Sequence, residues 1–191
     1  MDCRDKPDND GLVESVVNKK PILIFGVALP VVTVAFDQLT KYWAVKKFDA
    51  PMNICEINPY PNMQIEVSPI VDLALVCNQG ISWGLLQGDS SVKRWALTIF
   101  AFAMCIALFY VLAKAKDNLT RLSLGLVIGG AIGNGIDRAL FGAVTDFINF
   151  SDIGFRWVFN VADSAITVGV VGLLLASFFV KPDDEPEIKP S

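Results

Sequence analysis

The sequence predicts an α-helical integral membrane protein with four transmembrane helices and a small sheet outside the bilayer. Of its 191 residues, 53% are hydrophobic, and the mean hydropathy of +0.48 is above that of soluble globular chains. Four apolar, uncharged stretches come close to the length of about 20 residues that a bilayer span needs. Between the first and second stretches, a segment alternates polar and apolar residues in the manner of a β-strand.

The four apolar stretches are residues 21–36, 95–113, 122–136 and 164–180. An up-and-down arrangement places Asp37, Asp137 and Asp163 on one face of the membrane, and Asp146 in the loop that joins the last two helices. Pro30 predicts a kink in the first helix. We interpret this helix as retained rather than cleaved, because no small-x-small cleavage site follows it.

Residues 21–180 are expected to form one membrane domain, with an extramembrane β segment at about residues 45–90. Residues 64–68 alternate, residues 70–77 are rich in β-forming side chains, and the sequence from Asn78 to Gly80 predicts a turn. The polar tails, residues 1–20 and 181–191, are expected to be disordered. Lys and Arg are divided almost evenly between the two membrane faces, and only the basic loop between the second and third helices favours cytoplasmic termini.

The chain has no basic stripe, which argues against nucleic acid as a partner. It also has no histidine and no C-x-x-C pair, so a zinc site is not expected. Of its four cysteines, Cys105 lies in an apolar stretch and is expected to pack as a small hydrophobic residue. The sequence leaves open whether Cys55 and Cys77 form a disulfide.

Asp146 and Asp163 are the strongest candidates for chemistry. Each lies in apolar sequence beside a predicted span, and neither has Lys or Arg within four positions. Two carboxylates brought close together share a proton, so that one can act as an acid while the other activates a water molecule. A helix cap is the alternative explanation for Asp163. Asp146 has no such alternative, because its neighbours predict a strand or loop.

Further polar residues surround these two aspartates in the sequence. Asn134, Asp137 and Arg138 fall near one helical face, and we favour an ion pair of Asp137 with Arg138 or Lys41 that ties helix ends together. They follow Gly125, Gly129 and Gly133, whose spacing favours close packing of helices. The amides of Asn78 and Asn160 suit binding of a peptide or an oxyanion, although Asn78 also suits a turn.

Three other classes of function remain open from these residues. A transporter would use intramembrane Asp and Asn residues along an ion path. A non-catalytic assembly protein would use the glycine face for contacts with a partner helix. A hydrolase with a serine nucleophile and a lysine base would draw on residues of the same face, namely Ser82, Ser90 or Ser91 with Lys41 or Lys93.

Five motifs in order resemble bacterial lipoprotein signal peptidase, the type II signal peptidase, over residues 22–180. They are Asp37-Gln-Leu-Thr-Lys41, which is expected to close the first helix, Asn78-Gln-Gly-Ile-Ser-Trp-Gly84, Gly129-Gly-Ala-Ile-Gly-Asn-Gly-Ile-Asp-Arg138, Val144-Thr-Asp-Phe147 and Phe159-Asn-Val-Ala-Asp-Ser-Ala-Ile166. The residues after Asn78 depart from the Thr-Gly-Ala-Phe pattern that is common in the family, so contacts with substrate are expected to differ there.

The resemblance implies an aspartyl protease of the bacterial inner membrane, expected to be monomeric, with no metal or cofactor. It would remove the signal peptide of a prolipoprotein by cutting before the cysteine that carries diacylglycerol, and globomycin-type cyclic peptides would inhibit it. The active site and a β-cradle would be periplasmic, and the termini cytoplasmic. The catalytic pair would be Asp146 and Asp163. The supporting residues would be Asp37, Lys41, Asn78, Gly80, Asn134, Asp137, Arg138 and Asn160.

Overall fold

The computed structural model describes residues 21–58, 61–80 and 91–179 and confirms the predicted fold class. Four helices are long and apolar enough to cross a membrane: α1 (Pro21–Lys47), α2 (Ser91–Lys114), α3 (Asn118–Phe141) and α4 (Val161–Phe179). The strands are β1 (Met63–Glu66), β2 (Asp72–Asn78), β3 (Val144–Phe150) and β4 (Phe155–Phe159). The two predicted tails and residues 81–90 lie outside the described residues.

Helix α1 extends further than the apolar stretch that predicts it. A π-helical turn, Ile24–Ala28, ends two residues before Pro30, and a regular α-helix continues from Leu29 to Lys47. The motif from Asp37 to Lys41 therefore lies inside α1 and does not close it, which corrects the sequence-based expectation. Helix α3 likewise continues past Asp137 to Phe141. The carboxylates of Asp37 and Asp137 are thus both carried by regular helical backbone.

Helix α3 packs against the other three spans and is the most buried of them. Its glycines allow the close approach predicted from their spacing: a Cβ on Gly129 would lie 2.7 Å from the Cβ of Thr33, and one on Gly133 would lie 2.6 Å from Oδ2 of Asp37. Both contacts are with α1. The glycine face is therefore used inside the chain, which removes the feature on which the assembly-protein alternative depended.

The sheet is antiparallel, with strand order β1-β2-β3-β4. The sequence predicts β1 and β2, leaves open a strand or a loop around Asp146, and does not predict β4. Half of the sheet, β3 and β4, comes from the connection between α3 and α4. A single-turn helix, Ile54–Ile57, packs beside the sheet. The structure settles the pairing of two cysteines, because Cys55 and Cys77 form a disulfide that joins this helix to β2. Cys105 is a buried free thiol among apolar side chains, as predicted.

Candidate active site

One continuous set of hydrogen bonds and ion pairs links all ten candidate residues predicted from the sequence. They lie where the sheet meets one end of α1, α3 and α4. The ten are Asp37, Lys41, Asn78, Gly80, Asn134, Asp137, Arg138, Asp146, Asn160 and Asp163. The charges therefore gather at one end of the bundle, and the described residues show no spread through membrane depth of the kind expected of a transporter.

Asp146 lies on β3, and its carboxylate is almost fully buried, with 2% of the residue exposed. Its Oδ1 accepts a hydrogen bond of 2.6 Å from Nδ2 of Asn160, and its Oδ2 accepts one of 3.1 Å from Nδ2 of Asn78. Burial, and next the negative charge of Asp163, raise the pKa of Asp146 well above its ordinary value, although the two amide hydrogen bonds oppose this. Asp146 therefore favours the protonated state more than an exposed aspartate does.

Asp163 lies in the first turn of α4, where it forms a reciprocal cap with Asn160. Oδ1 of Asn160 accepts a hydrogen bond from the backbone N–H of Asp163 at 2.9 Å, and Oδ2 of Asp163 accepts one from the backbone N–H of Asn160 at 3.4 Å. The N-cap residue of α4 is thus Asn160. Asp163 takes part in the cap from the first turn of the helix and is not the N-cap residue itself. The second oxygen of Asp163 accepts a hydrogen bond of 2.8 Å from Nδ2 of Asn134.

The side chain of Asn160 lies between the two candidate carboxylates. It is fully buried, its Nδ2 binds Asp146, and its Oδ1 fixes the turn that carries Asp163. Asp146 and Asp163 line the same cleft of about 460 Å³, together with Asn78 and largely apolar side chains of β4 and α4. Two carboxyl groups that share a cleft and one proton can position a water molecule and pass protons to and from it.

Lys41 forms the ion pair that the sequence predicts for Asp137, and it adds a second. Its Nζ lies 2.9 Å from Oδ2 of Asp137 and 2.8 Å from Oδ2 of Asp37, and it donates to Oδ1 of Asn134 at 3.1 Å. An ammonium group has three N–H donors, so these contacts use all of them. Lys41 is therefore unavailable as the base of a serine hydrolase, and of the candidate serines Ser82 and Ser90 lie outside the described residues.

The ion-paired carboxylates of Asp37 and Asp137 also hold the two chain segments that carry the candidate pair. Oδ1 of Asp37 accepts a hydrogen bond of 2.9 Å from the backbone N–H of Ala162, the residue before Asp163. Oδ2 of Asp137 accepts one of 3.1 Å from the backbone N–H of Thr145, the residue before Asp146. The cluster formed by Lys41, Asp37 and Asp137 therefore fixes the position of both candidate aspartates.

Asn78 serves both purposes that the sequence suggests. Its Oδ1 accepts a hydrogen bond of 3.1 Å from the backbone N–H of Gly80, which makes the predicted turn, while its Nδ2 binds Asp146. The carbonyl oxygen of Gly80 accepts a hydrogen bond of 2.8 Å from Nη2 of Arg138. Arg138 thus holds the turn beside the cleft, and its ion pair with Asp137, the other pairing predicted, is not formed.

Two residues that support the site through hydrogen bonds were not predicted from the sequence. Nε2 of Gln38 donates to Oδ1 of Asp137 at 2.8 Å, and Arg94 donates to the carbonyl oxygens of Arg138 and Ala139 at the end of α3. The position of Gln38 within the motif from Asp37 to Lys41 could have indicated a role in the site. No sequence pattern indicates the role of Arg94, because its partners are backbone atoms far away in the sequence.

The chain is similar to known proteins over most of its length. Residues 29–179 match the family model described as signal peptidase (SPase) II. A lipoprotein signal peptidase of Methylobacterium sp. (strain 4-46) is 36% identical over 88% of this chain and 97% of its own length. One from Caulobacter vibrioides is 41% identical over 79% and 84%. A solved bacterial membrane enzyme, 30% identical, superposes with a TM-score of 0.65 over 84% of this chain and 93% of its own.

Replacement of Lys41 by methionine is expected to lower the free energy of unfolding by about 3–5 kcal/mol, because the carboxylates of Asp37 and Asp137 stay buried without their cation. Lys47→Met is the matched control, since Lys47 is exposed on the same helix and contacts the Trp43 ring. It should change the free energy by no more than about 0.5 kcal/mol. Thermal unfolding in detergent measures both variants, and equal losses would contradict the buried ion-pair cluster.

Stability should also depend on pH through Asp146. Because its pKa is raised in the folded state, the folded protein keeps a proton that the unfolded chain has released, so stability falls as the pH rises from the ordinary carboxyl pKa towards the raised one. In that window wild type should lose up to about 1.4 kcal/mol per pH unit relative to Asp146→Asn. Unfolding measured across pH tests this, and parallel curves for the two proteins would refute it.

Proposed function

The chain belongs to the signal peptidase II family of aspartic peptidases, which remove signal peptides from prolipoproteins, and we propose that Asp146 and Asp163 perform this cleavage through one water molecule. The observation that carries the proposal is their placement: β3 and α4 bring the two carboxyl groups to one cleft, where Asn160 contacts both. The scissile bond would be the one before the cysteine that carries diacylglycerol.

In the proposed reaction, the ionised carboxylate of the pair takes a proton from the water molecule, whose oxygen attacks the scissile carbonyl carbon. The protonated carboxyl group donates its proton to the carbonyl oxygen. Collapse of the tetrahedral intermediate then breaks the C–N bond: the departing amine takes a proton from the carboxyl group that is now protonated, and one hydroxyl group of the intermediate gives its proton to the other carboxylate. The raised pKa of Asp146 supports a shared proton, which the two residues hold jointly.

The walls of the cleft support a lipidated, apolar substrate. Phe155 and Trp157 of β4 line one side, and Thr167 and Val168, which are exposed on α4, line another. The cleft therefore runs from the sheet towards the membrane-facing surface of α4. A peptide could contact the sheet while its diacylglyceryl chains remain in lipid.

Globomycin-type cyclic peptides are expected to occupy the same cleft. That the protein is monomeric remains a prediction.

We propose that the sheet faces the periplasm of a bacterial inner membrane and that both ends of the chain are cytoplasmic. The disulfide between Cys55 and Cys77 lies on the sheet side. Disulfides persist in oxidising compartments such as the periplasm and are rare in the cytosol. The four spans found among the described residues then return the end of α4 to the side on which α1 begins.

Asp146→Asn and Asp163→Asn are each expected to lower the rate of prolipoprotein cleavage by about 10²–10⁴-fold, because each removes one proton-transfer partner. Asp152→Asn is the control: it makes the same change on an exposed residue of the turn between β3 and β4 and should retain wild-type activity. The measurement is cleavage of a diacylglyceryl-modified prolipoprotein in membranes. Full activity of either Asp146→Asn or Asp163→Asn would rule out the mechanism.

The orientation can be tested with a membrane-impermeable maleimide in spheroplasts. In a Cys3→Ser background, Asp152→Cys, at the tip of the sheet, should react without lysis. Lys116→Cys, exposed in the loop between α2 and α3, should react only after lysis. The opposite labelling pattern would place the sheet in the cytoplasm.

A further inference from the structure

The disulfide between Cys55 and Cys77 plays no part in the mechanism proposed above, although it lies close to the site. Both half-cystines are buried, with 3% and 8% of their surfaces exposed. They pack with Val45, Leu75 and Ala143 in a small apolar core beneath the sheet. The bond joins the single-turn helix Ile54–Ile57 to the last part of β2.

Each half-cystine lies next to the contact between Asn78 and Asp146. Cys77 directly precedes Asn78 in β2, and in the sheet Cys77 is paired with Thr145, the residue before Asp146. Sγ of Cys55 lies 3.9 Å from Oγ1 of Thr145. The disulfide is therefore in contact with both strands at the point where Asn78 donates its hydrogen bond to Asp146.

The pairing of β2 with β3 at this point is short. The register shifts between Leu73 and Val76, so that the ladder on the site side consists of Val76, Cys77 and Asn78. The described part of β2 ends at Asn78, and the turn to Gly80 follows. Three ladder pairs provide few hydrogen bonds to fix the end of a strand. A covalent bond at the middle residue of the three restricts the movement of this end much more strongly.

We propose that the Cys55–Cys77 disulfide is a positioning element for catalysis, which holds Asn78 against Asp146, so that the enzyme reaches full activity only when the bond is formed. The inference rests on the proposed function, because it takes Asp146 as catalytic. A protein that matures in an oxidising compartment would thereby gain its full activity there. Neither cysteine needs to contact the substrate.

Reduction tests the proposal on the intact enzyme. Dithiothreitol breaks the S–S bond, gives two thiols and becomes a cyclic disulfide, so two electrons and two protons pass from the reductant to the cystine. In the reduced enzyme kcat for prolipoprotein cleavage should fall about tenfold, the order expected when a catalytic group is displaced by a fraction of an ångström. KM should change less than kcat, because the displaced contact is with a catalytic residue.

Three variants show whether the effect passes through Asn78. Cys55→Ser/Cys77→Ser should match the reduced wild type and should not respond to dithiothreitol. Cys105→Ser, which replaces a buried thiol between α2 and α3, should behave as wild type both with and without reductant. Asn78→Ala should be impaired, and reduction should cause no further fall in its kcat, whereas a general loss of stability would lower kcat again by the same factor.

The outcomes separate this inference from the proposed function. Full activity of Asp146→Asn would refute the proposed function. An inactive Asp146→Asn together with an unchanged kcat in the reduced wild type would refute the positioning role alone. Circular dichroism of the reduced wild type at the assay temperature provides the check on folding if the double serine variant does not accumulate. A loss of activity that follows unfolding, or that recurs in Asn78→Ala, would overturn the inference.

Discussion

The buried ion-pair cluster formed by Lys41, Asp37 and Asp137 is the interaction on which the rest of the site depends. Burial of three charges is expensive, and removal of one partner costs more than the cluster contributes in net terms. The buried charges also hold neighbouring segments of the chain in place. Each carboxylate contacts the ammonium group and also binds one backbone N–H, that of Ala162 or of Thr145. A single cation thereby fixes α4 and β3 relative to α1 and α3.

The same cluster also bears on the raised pKa of Asp146. Four carboxyl groups gather at this end of the bundle, those of Asp37, Asp137, Asp146 and Asp163, and among the described residues the cations that interact with them are Lys41 and Arg138. Full ionisation would leave an excess of negative charge in a buried region. Because Lys41 is already paired with the other two carboxylates, protonation of Asp146, whose pKa is raised, is the available way to reduce that charge. In the proposed mechanism, two identical side chains would then act as an acid and a base.

The sequence predicted the spans and all ten linked residues, because apolar stretches and short motifs are local patterns. It placed Asp37 at the end of α1, since hydropathy locates the edge of an apolar stretch but not the continuation of a helix to Lys47. It missed β4, whose residues carry exposed aromatic side chains and follow a turn at Gly154 with φ of 88°. The sequence also does not show which oxygen of Asp163 accepts the capping hydrogen bond. This depends on how α3 packs against α4, and no local pattern contains that information.

The depth of the site follows from the position at which α4 begins. Asn160 directly follows β4 and caps α4, so the carboxyl group of Asp163 lies within the first turn of a membrane-spanning helix. At that depth the sheet side can supply water and the helix side can face lipid. Proteolysis requires water, whereas the lipid chains of the proposed substrate require hydrocarbon. A pair of carboxyl groups contributed by a strand and by a helix start can meet both requirements in a chain that has no histidine.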